Sequence, residues 1–505
     1  MIQFKNYTYT YGNSNEAALQ NIPMRVHPGE FLLITGKSGC GKSTLAKCVN
    51  GLIPHFFPGN IRGWVELEGQ KTSELNLHQI GRMVGSIFQD PRSQFFTTNT
   101  TDEVAFGCQN MGMPRTDILQ RVQSAFTCLG IESLQNKSIF KISSGEKQKV
   151  AISSCCAMGP SIFLFDEPSA NLDLESTFHL ASLLGELKQA GKTIIVFEHR
   201  LFYLSGLYDR VIHMQNGRIA RELTPEQAES LAPAELQQMG LRHFHFKAPV
   251  PTPPHSPRNS FLDQSPSLEI QNLSFSYHRR RFGRQSSSGA VLTGVTLKAH
   301  PGEVIGLIGE NGAGKTTLSR VCCGLLREST GRVFVNGKAR SAGQRLGEIY
   351  FVVQDSDYQL FSDSVLSELK IGAGNPPSEE ECQRILSALD LWRLRDAHPA
   401  SLSRGQKQRL TIATALASEA DILFFDEPSS GLDGDSLRSV AELFGLLQQR
   451  GKTVFVVSHD YELLISACSR IIKLHQGGVQ HDFCLDAGSA ALLWELMASG
   501  KGEAL

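Results

Sequence analysis

The run Gly-Lys-Ser-Gly-Cys-Gly-Lys-Ser-Thr at residues 36–44 returns as Gly-Glu-Asn-Gly-Ala-Gly-Lys-Thr-Thr at residues 309–317. Both fit the phosphate-loop pattern G-x-x-x-x-G-K-[ST]. Each follows an apolar run, at 30–35 and 304–308, and each opens a segment that reads as a helix. Further short apolar runs at 162–165 and 194–197, repeated at 422–425 and 454–457, alternate with helix-like segments. Continuous apolar strands alternating with helices predict a mostly parallel sheet covered on both faces. The chain reads as two α/β halves fused head to tail. Lys42 and Lys315 lie 273 apart, Gln89 and Gln354 265 apart, and Ser143/Ser403, Asp166/Asp426 and His199/His459 all 260 apart. The constant spacing from Ser143 to His199 predicts a stretch of rigid geometry shared by both halves.

At 505 residues the chain has room for two to four full-sized cores. Lys plus Arg (49) balance Asp plus Glu (50), so no global field gathers nucleic acid or an anionic membrane. The 11 cysteines show no metal-ligand spacing and include the adjacent pairs Cys155–Cys156 and Cys322–Cys323. With no signal peptide at the start, reduced thiols in a cytosolic protein are expected. No apolar stretch approaches the ~18–20 residues of a membrane span.

A proline-rich tract at 248–257, continuing in Ser and Pro to 266, favours extended geometry. At ~3.1 Å per residue it reaches about 55 Å, enough to join domains lying side by side. The expected organisation is a first α/β domain at 1–240, a linker at 241–266 and a second domain at 267–505. A basic segment at 279–289, with no counterpart in half one, reads as an exposed hairpin tip. Thr224, Pro225 and Gln227 read as a helix start closed by a capping box.

A triphosphate concentrates charge in a small volume. Glycines let backbone N–H groups approach it, and the following helix points its positive end at it. Lys42 and Lys315 are placed to reach the β and γ phosphates, and the hydroxyls of Ser43 and Thr316 to ligate Mg²⁺. The strands at 163–165 and 423–425 end in the acid pairs Asp166-Glu167 and Asp426-Glu427. Buried paired carboxylates call for a nearby cation. Mg²⁺ on Asp166 and Asp426 meets that need and leaves Glu167 and Glu427 to orient or deprotonate water.

With these motifs assembled, the sequence resembles the ATPase domain of ATP-binding cassette (ABC) proteins. Signature-like segments stand at Ile142-Ser-Ser-Gly-Glu146 and Leu402-Ser-Arg-Gly-Gln406, and D-loops at Ser169-Ala-Asn-Leu-Asp173 and Ser429-Ser-Gly-Leu-Asp433. Switch histidines stand at His199 and His459, Q-loop glutamines at Gln89 and Gln354, and adenine-stacking aromatics at Tyr11 and Tyr277. The resemblance implies two P-loop NTPase domains, each a RecA-like, mostly parallel core with an antiparallel β subdomain and a helical signature subdomain. It also implies composite sites in an intramolecular pseudo-dimer. One ATP lies between Tyr11, Gly36, Gly39, Gly41, Lys42, Ser43 and Thr44 of half one and Ser403 and Gly405 of half two. The other lies between Tyr277, Gly309, Gly312, Gly314, Lys315, Thr316 and Thr317 and the signature residues Ser143 and Gly145. Glu167, His199 and Gln89 form the first catalytic set, and Glu427, His459 and Gln354 the second. Mg²⁺ is held by Ser43, Gln89 and Asp166 in one site and by Thr316, Gln354 and Asp426 in the other. The usual LSGGQ signature is altered in both halves, and Arg200 follows His199 where Asp460 follows His459. Both acids and both histidines are present, so two competent sites are expected.

The segment at 84–96, followed by Asp102-Glu-Val-Ala-Phe-Gly107, is similar to ATPases of energy-coupling factor importers, as is its weaker copy at 352–361. That resemblance implies a groove for coupling helices of an integral membrane protein, with Gln94, Phe95, Phe96, Gln359, Leu360 and Phe361 as candidates. The competing reading places these aromatics in the core of the helical subdomain. Fused double ATPases of this type resemble those linked to hydroxymethylpyrimidine or thiamine uptake, by analogy alone. The expected partners are that coupling protein and a small membrane substrate-binding protein, with no nucleic acid and no contact with the transported molecule. The expected place is the cytoplasmic face of the cell membrane, as a peripheral subunit. The alternative is a soluble tandem ABC ATPase acting on the ribosome or nucleic acid.

Overall fold

The computed structural model describes all residues except 13, 89–90, 143, 171, 246–264, 282–283, 288–289, 355–357, 372–375, 403, 487 and 499–505; side chains at 91–92, 144, 278–281, 284–287 and 404 are also outside the description. The chain divides into two compact units, the first carried by residues 1–248 and the second by most of 249–505. Most of the proline-rich linker lies outside the described residues.

In half one, β1 (Ile2–Tyr11) pairs antiparallel with β2 (Leu19–Val26) and with β4 (Gly59–Leu67), and β5 (Gln70–Lys71) closes the edge. Ile2, Phe4, Tyr7 and Tyr9 point from this sheet into the core, with Met24 and Val26 beside them. They pack on the helix Lys42–Val49 and on one face of a second sheet of order β10-β9-β3-β8-β7-β6. Those strands are β3 (Phe31–Gly36), β6 (Val84–Ile87), β7 (Ile162–Asp166), β8 (Thr193–Phe197), β9 (Arg210–Gln215) and β10 (Arg218–Leu223). All but the β10 edge are parallel. Strands β3 and β8 are buried along their whole length, as their apolar runs require. Each buried Phe, Ile or Leu contributes about 1.5–3 kcal/mol relative to exposure. Helices Thr100–Asn110, Arg115–Cys128 and Ser144–Met158 form a separate cluster around Val104, Val122, Phe126 and Val150.

Half two repeats the plan. Its antiparallel sheet is β14-β11-β16-β17, from β11 (Leu268–Phe275), β14 (Leu292–Ala299), β16 (Thr330–Val335) and β17 (Lys338–Ala339). Its second sheet is β18-β19-β20-β15-β21-β22, from β15 (Val304–Ile308), β18 (Ile349–Val352), β19 (Ile422–Asp426), β20 (Thr453–Val457), β21 (Arg470–His475) and β22 (Gly478–Cys484). Each strand holds the place of its half-one counterpart. The stretch of constant spacing matches element for element. Ile162–Asp166, Leu174–Gln189 and Thr193–Phe197 recur as Ile422–Asp426, Gly434–Gln449 and Thr453–Val457, with equal lengths. The expected α/β fold of two P-loop domains is present.

The basic segment forms a two-stranded hairpin, β12 (His278–Arg281) with β13 (Arg284–Ser287); its tip falls outside the described residues. Thr224 caps the short helix Pro225–Glu229 and Gln227 returns the bond, completing the predicted capping box. All 11 cysteines are free thiols. No helix among the described residues is long and apolar enough to cross a membrane.

Candidate functional site

Three neighbouring strands of half one deliver the site at their carboxyl ends. The phosphate loop follows β3, His199 follows β8, and Asp166 closes β7. Parallel register sets Ile34 beside Phe197 and Asp166 beside Phe197, so the three loops open into one crevice. The loop leaves β3 at Gly36, whose φ is 149° and where a Cβ would stand 2.3 Å from the Met214 carbonyl oxygen. It enters the helix Lys42–Val49 at Gly41, φ 106°, where a Cβ would meet the Ala18 oxygen at 2.8 Å. No other residue type fits either place without backbone movement. The Lys42 amine, 5% exposed, donates to the Gly36 carbonyl at 2.8 Å and the Lys37 carbonyl at 3.1 Å. Ser43 is exposed at the helix start. The Tyr11 hydroxyl meets Thr44 Oγ1 at 3.1 Å, which holds its ring beside the loop, and Lys47 Nζ lies 5.8 Å from the ring centroid.

Glu167 has φ 46°, an uncommon left-handed conformation for a side-chain-bearing residue, and its N–H donates to the Phe197 carbonyl at 2.8 Å. His199 Nε2 stands 3.4 Å from Glu167 Oε1. Burial first, and then the Glu167 charge, push the Asp166 carboxyl up to about 7, with Lys42 pulling the other way. Strain and a perturbed carboxyl at the mouth of a crevice mark a working site.

Half two rebuilds the arrangement. Gly309 (φ 146°), Gly312 and Gly314 turn the loop, and Lys315 donates to the carbonyls of Gly309 at 2.6 Å and Glu310 at 3.1 Å. The Thr316 hydroxyl donates to Asp426 Oδ1 at 3.1 Å. Burial raises Asp426, opposed by that hydrogen bond and by Arg320 and Lys315. Glu427 has φ 50°, and His459 Nε2 stands 3.5 Å from its Oε1. Tyr277 reaches Thr317 at 3.4 Å and is more open than Tyr11, at 42% exposure.

Within each half the structure brings together loop, lysine, hydroxyl, aromatic, acid pair and histidine. Gln89, Ser143 and Ser403 lie outside the described residues, and Gln354 is exposed beyond β18. The signature glycines Gly145 and Gly405 are buried near the starts of helices Ser144–Met158 and Arg404–Ala417.

The groove candidates divide. Gln94 turns inward, donating to the Ser86 carbonyl at 3.0 Å, and Gln359 does the same to Phe351 at 3.2 Å. Both amides are engaged by the ends of β6 and β18. Phe95 packs on the helical cluster. Phe96 and Phe361 instead stand 75% and 77% exposed. A buried carboxylate presents each one. Glu103 accepts from the N–H groups of Phe96 (3.0 Å) and Thr97 (2.8 Å), and Glu368 from those of Phe361 (3.0 Å) and Ser362 (2.8 Å). No motif singles out either glutamate; their shared distance of seven residues from the exposed Phe is the signal the sequence carries.

The donor set fits Mg²⁺. Each half offers a hydroxyl and a carboxylate at the loop, both hard oxygens, and no cluster of three or more His, Cys, Asp or Glu fit for a metal occurs among the described residues. One carboxylate and one hydroxyl, with phosphate oxygens and water completing the shell, is how Mg²⁺ is commonly held.

A family model described as ABC transporter matches residues 19–170 and 292–430, together more than half of the chain. A Treponema denticola protein with the provisional name ABC transporter ATP-binding protein is 38% identical over 484 residues, covering 96% of this chain and 97% of the relative. A Methanosarcina mazei protein of the same provisional name is 34% identical over 522 residues, covering 95% and 88%. Among solved structures, one from a model of ribosome-bound archaeal Pelota and ABCE1 matches with a TM-score of 0.67 at 21% identity, over 98% of this chain and 81% of that one. This last is a likeness of fold.

Proposed function

The chain belongs to the ABC transporter family as a tandem ATPase, and on that premise we propose that it powers an importer of a vitamin or metal micronutrient, of the energy-coupling factor type, through separate membrane subunits. The reaction is ATP + H₂O → ADP + phosphate. The glycine loop cradles the phosphates with its N–H groups, and Lys42 and Lys315 exchange their carbonyl partners for phosphate oxygens. Mg²⁺, when bound, neutralises charge developing on the β and γ oxygens. Glu167 and Glu427 take up the proton of the attacking water or orient it, and His199 and His459 hold the acid and the γ-phosphate in line. Tyr11 and Tyr277 offer their faces to adenine.

The observation that carries the transport reading is the presentation of Phe96 and Phe361. Each is an exposed aromatic held at its backbone by a buried glutamate, at equivalent places beyond the Q-loop segment. Two such knobs suit a pair of coupling helices on a membrane protein. The names of the Treponema and Methanosarcina relatives support the same direction. The protein then works at the cytoplasmic face of the membrane as a peripheral subunit. The test replaces both residues, Phe96→Ser with Phe361→Ser, and follows the chain through membrane fractionation. The double variant is expected to leave the membrane pellet while ATP binding persists. Sedimentation of the parent with ribosomes instead of membranes would turn the reading to the ribosome-acting class.

A further inference from the structure

Between the hydrolytic acid and the switch histidine of half one lies a carboxylate that the mechanism above does not use. Glu198 is 2% exposed. Its Oε1 accepts from the N–H groups of His199 at 2.8 Å and Arg200 at 3.1 Å. Its Oε2 accepts from the hydroxyls of Tyr203 and Ser169, both at 2.8 Å, and from the Ser169 N–H at 3.3 Å. The Arg200 guanidinium reaches the Leu172 carbonyl at 3.3 Å and that of Ser169 at 3.5 Å. Ser169 is two residues beyond Glu167, and His199 is the next residue after Glu198. The acid and the histidine thus sit on separate loops, and one buried carboxylate grips both.

Half two is built differently at this point. Ser458 stands where Glu198 stands, with its Oγ 3.3 Å from Ser429 Oγ and accepting from the Asp460 N–H at 3.0 Å. A hydroxyl has one proton and two lone pairs, so it cannot accept five bonds, and bonds to a carboxylate are roughly twice as strong as neutral ones. Asp460 accepts from the Leu463 N–H and caps the helix Tyr461–Ala467, where half one has only the turn Phe202–Leu204.

We propose that Glu198 is a positioning residue that locks the Glu167 loop to the His199 loop, where half two instead uses the Ser458–Ser429 hydroxyl contact and the His459 N–H donating to Glu427 Oε2 at 3.4 Å, so that the two sites hydrolyse ATP with unequal dependence on a buried carboxylate. The proposal rests on Glu167 and His199 being the hydrolytic pair. It is tested in the Glu427→Gln background, where turnover reports half one. Adding Glu198→Gln sets N–H donors against the donors now held by the carboxylate. The expected result is a fall in kcat of about tenfold or more, with the KM for ATP within twofold and the number of nucleotides bound per chain unchanged, so that the loss is not one of folded protein. Glu198→Asp restores part of the rate. Tyr203→Phe, which removes one donor and no charge, lowers kcat a few-fold. Ser458→Ala in the Glu167→Gln background moves half-two turnover by less than twofold. An unchanged kcat for Glu198→Gln, or a loss that follows nucleotide stoichiometry, overturns the proposal. Failure of the underlying reading shows separately, as residual turnover in the Glu167→Gln, Glu427→Gln double variant.

Discussion

A backbone angle of 46° at Glu167 and 50° at Glu427 places the same cost on the same residue in both halves. Such strain persists only where surrounding structure over-determines it. Here the N–H groups of these glutamates are tied to the Phe197 and Val457 carbonyls, each at 2.8 Å. Changing one acid at a time, Glu167→Gln or Glu427→Gln, is expected to remove that half's share of phosphate release and leave the share of the other; an undiminished rate for either removes that half from the reaction. Asp166 gives a pH signature. Its carboxyl is pushed up to about 7 by burial in the folded protein and lies near the ordinary carboxylate value when unfolded. The folded state therefore holds the extra proton, and stability from this group is lost as pH rises through that window. Asp166→Asn should melt a few degrees above the parent at pH 8 without Mg²⁺, and the gap should close toward pH 5 and on adding Mg²⁺ with ATP. Gly36→Ala adds about 1–3 kcal/mol of backbone strain and a clash with the Met214 carbonyl; lowered Tm and lost nucleotide binding are the expected readings. At this scale the loop, the acids and the histidines were readable, because their chemistry allows few residue types. Glu198 was not, since an acid beside a histidine looks the same whether it accepts five bonds or faces water.

Elements extend that contrast. The buried strands β3, β8, β15 and β20 were plain as apolar runs, because a strand covered on both faces has no polar side to alternate with. The antiparallel sheets came from the family resemblance and not from the residues. In β1 the inward side chains Ile2, Phe4, Tyr7 and Tyr9 lose their alternation at a register shift between Phe4 and Tyr7, where Asn6 turns to φ 47°. The fate of the aromatic segment was undecided between core and groove, and the structure divides it. Gln94, Phe95 and Gln359 serve the interior; Phe96 and Phe361 face out. Periodicity carries no signal for that division, because the loop is positioned by Glu103 and Glu368 and not by its own pattern. Replacing Glu103 with Ala should release the Phe96 loop. Membrane capture is expected to weaken several-fold while basal ATPase stays within twofold, compared by pull-down and phosphate release on the same preparation.

For the whole molecule, the repeat constrains stoichiometry. Equal strand orders and equal element lengths from 162 to 197 and 422 to 457 give two loops of one design on one chain. With both acids changed to Gln, calorimetry should count two ATP per chain; a count of one would show that the halves differ in binding and not only in turnover. The halves part locally around the switch histidines, where Glu198 and Arg200 stand in half one and Ser458 and Asp460 in half two, and the spacing of 260 holds on either side, with β9 at Arg210–Gln215 matched by β21 at Arg470–His475. Fixed spacing made the rigid stretch legible from numbering alone, and the local mismatch marks where the two halves are free to differ.

Each lysine of the phosphate loops, Lys42 and Lys315, rests with its amine clasped by two carbonyls of its own turn. A cation so occupied gains little from chloride or a passing inorganic anion, which offers one weak partner in exchange for two good ones. Only a ligand that also engages the row of amides and the helix end can repay the release. A polyphosphate meets that demand where a small inorganic anion does not, so the loop's own carbonyls sharpen its selectivity.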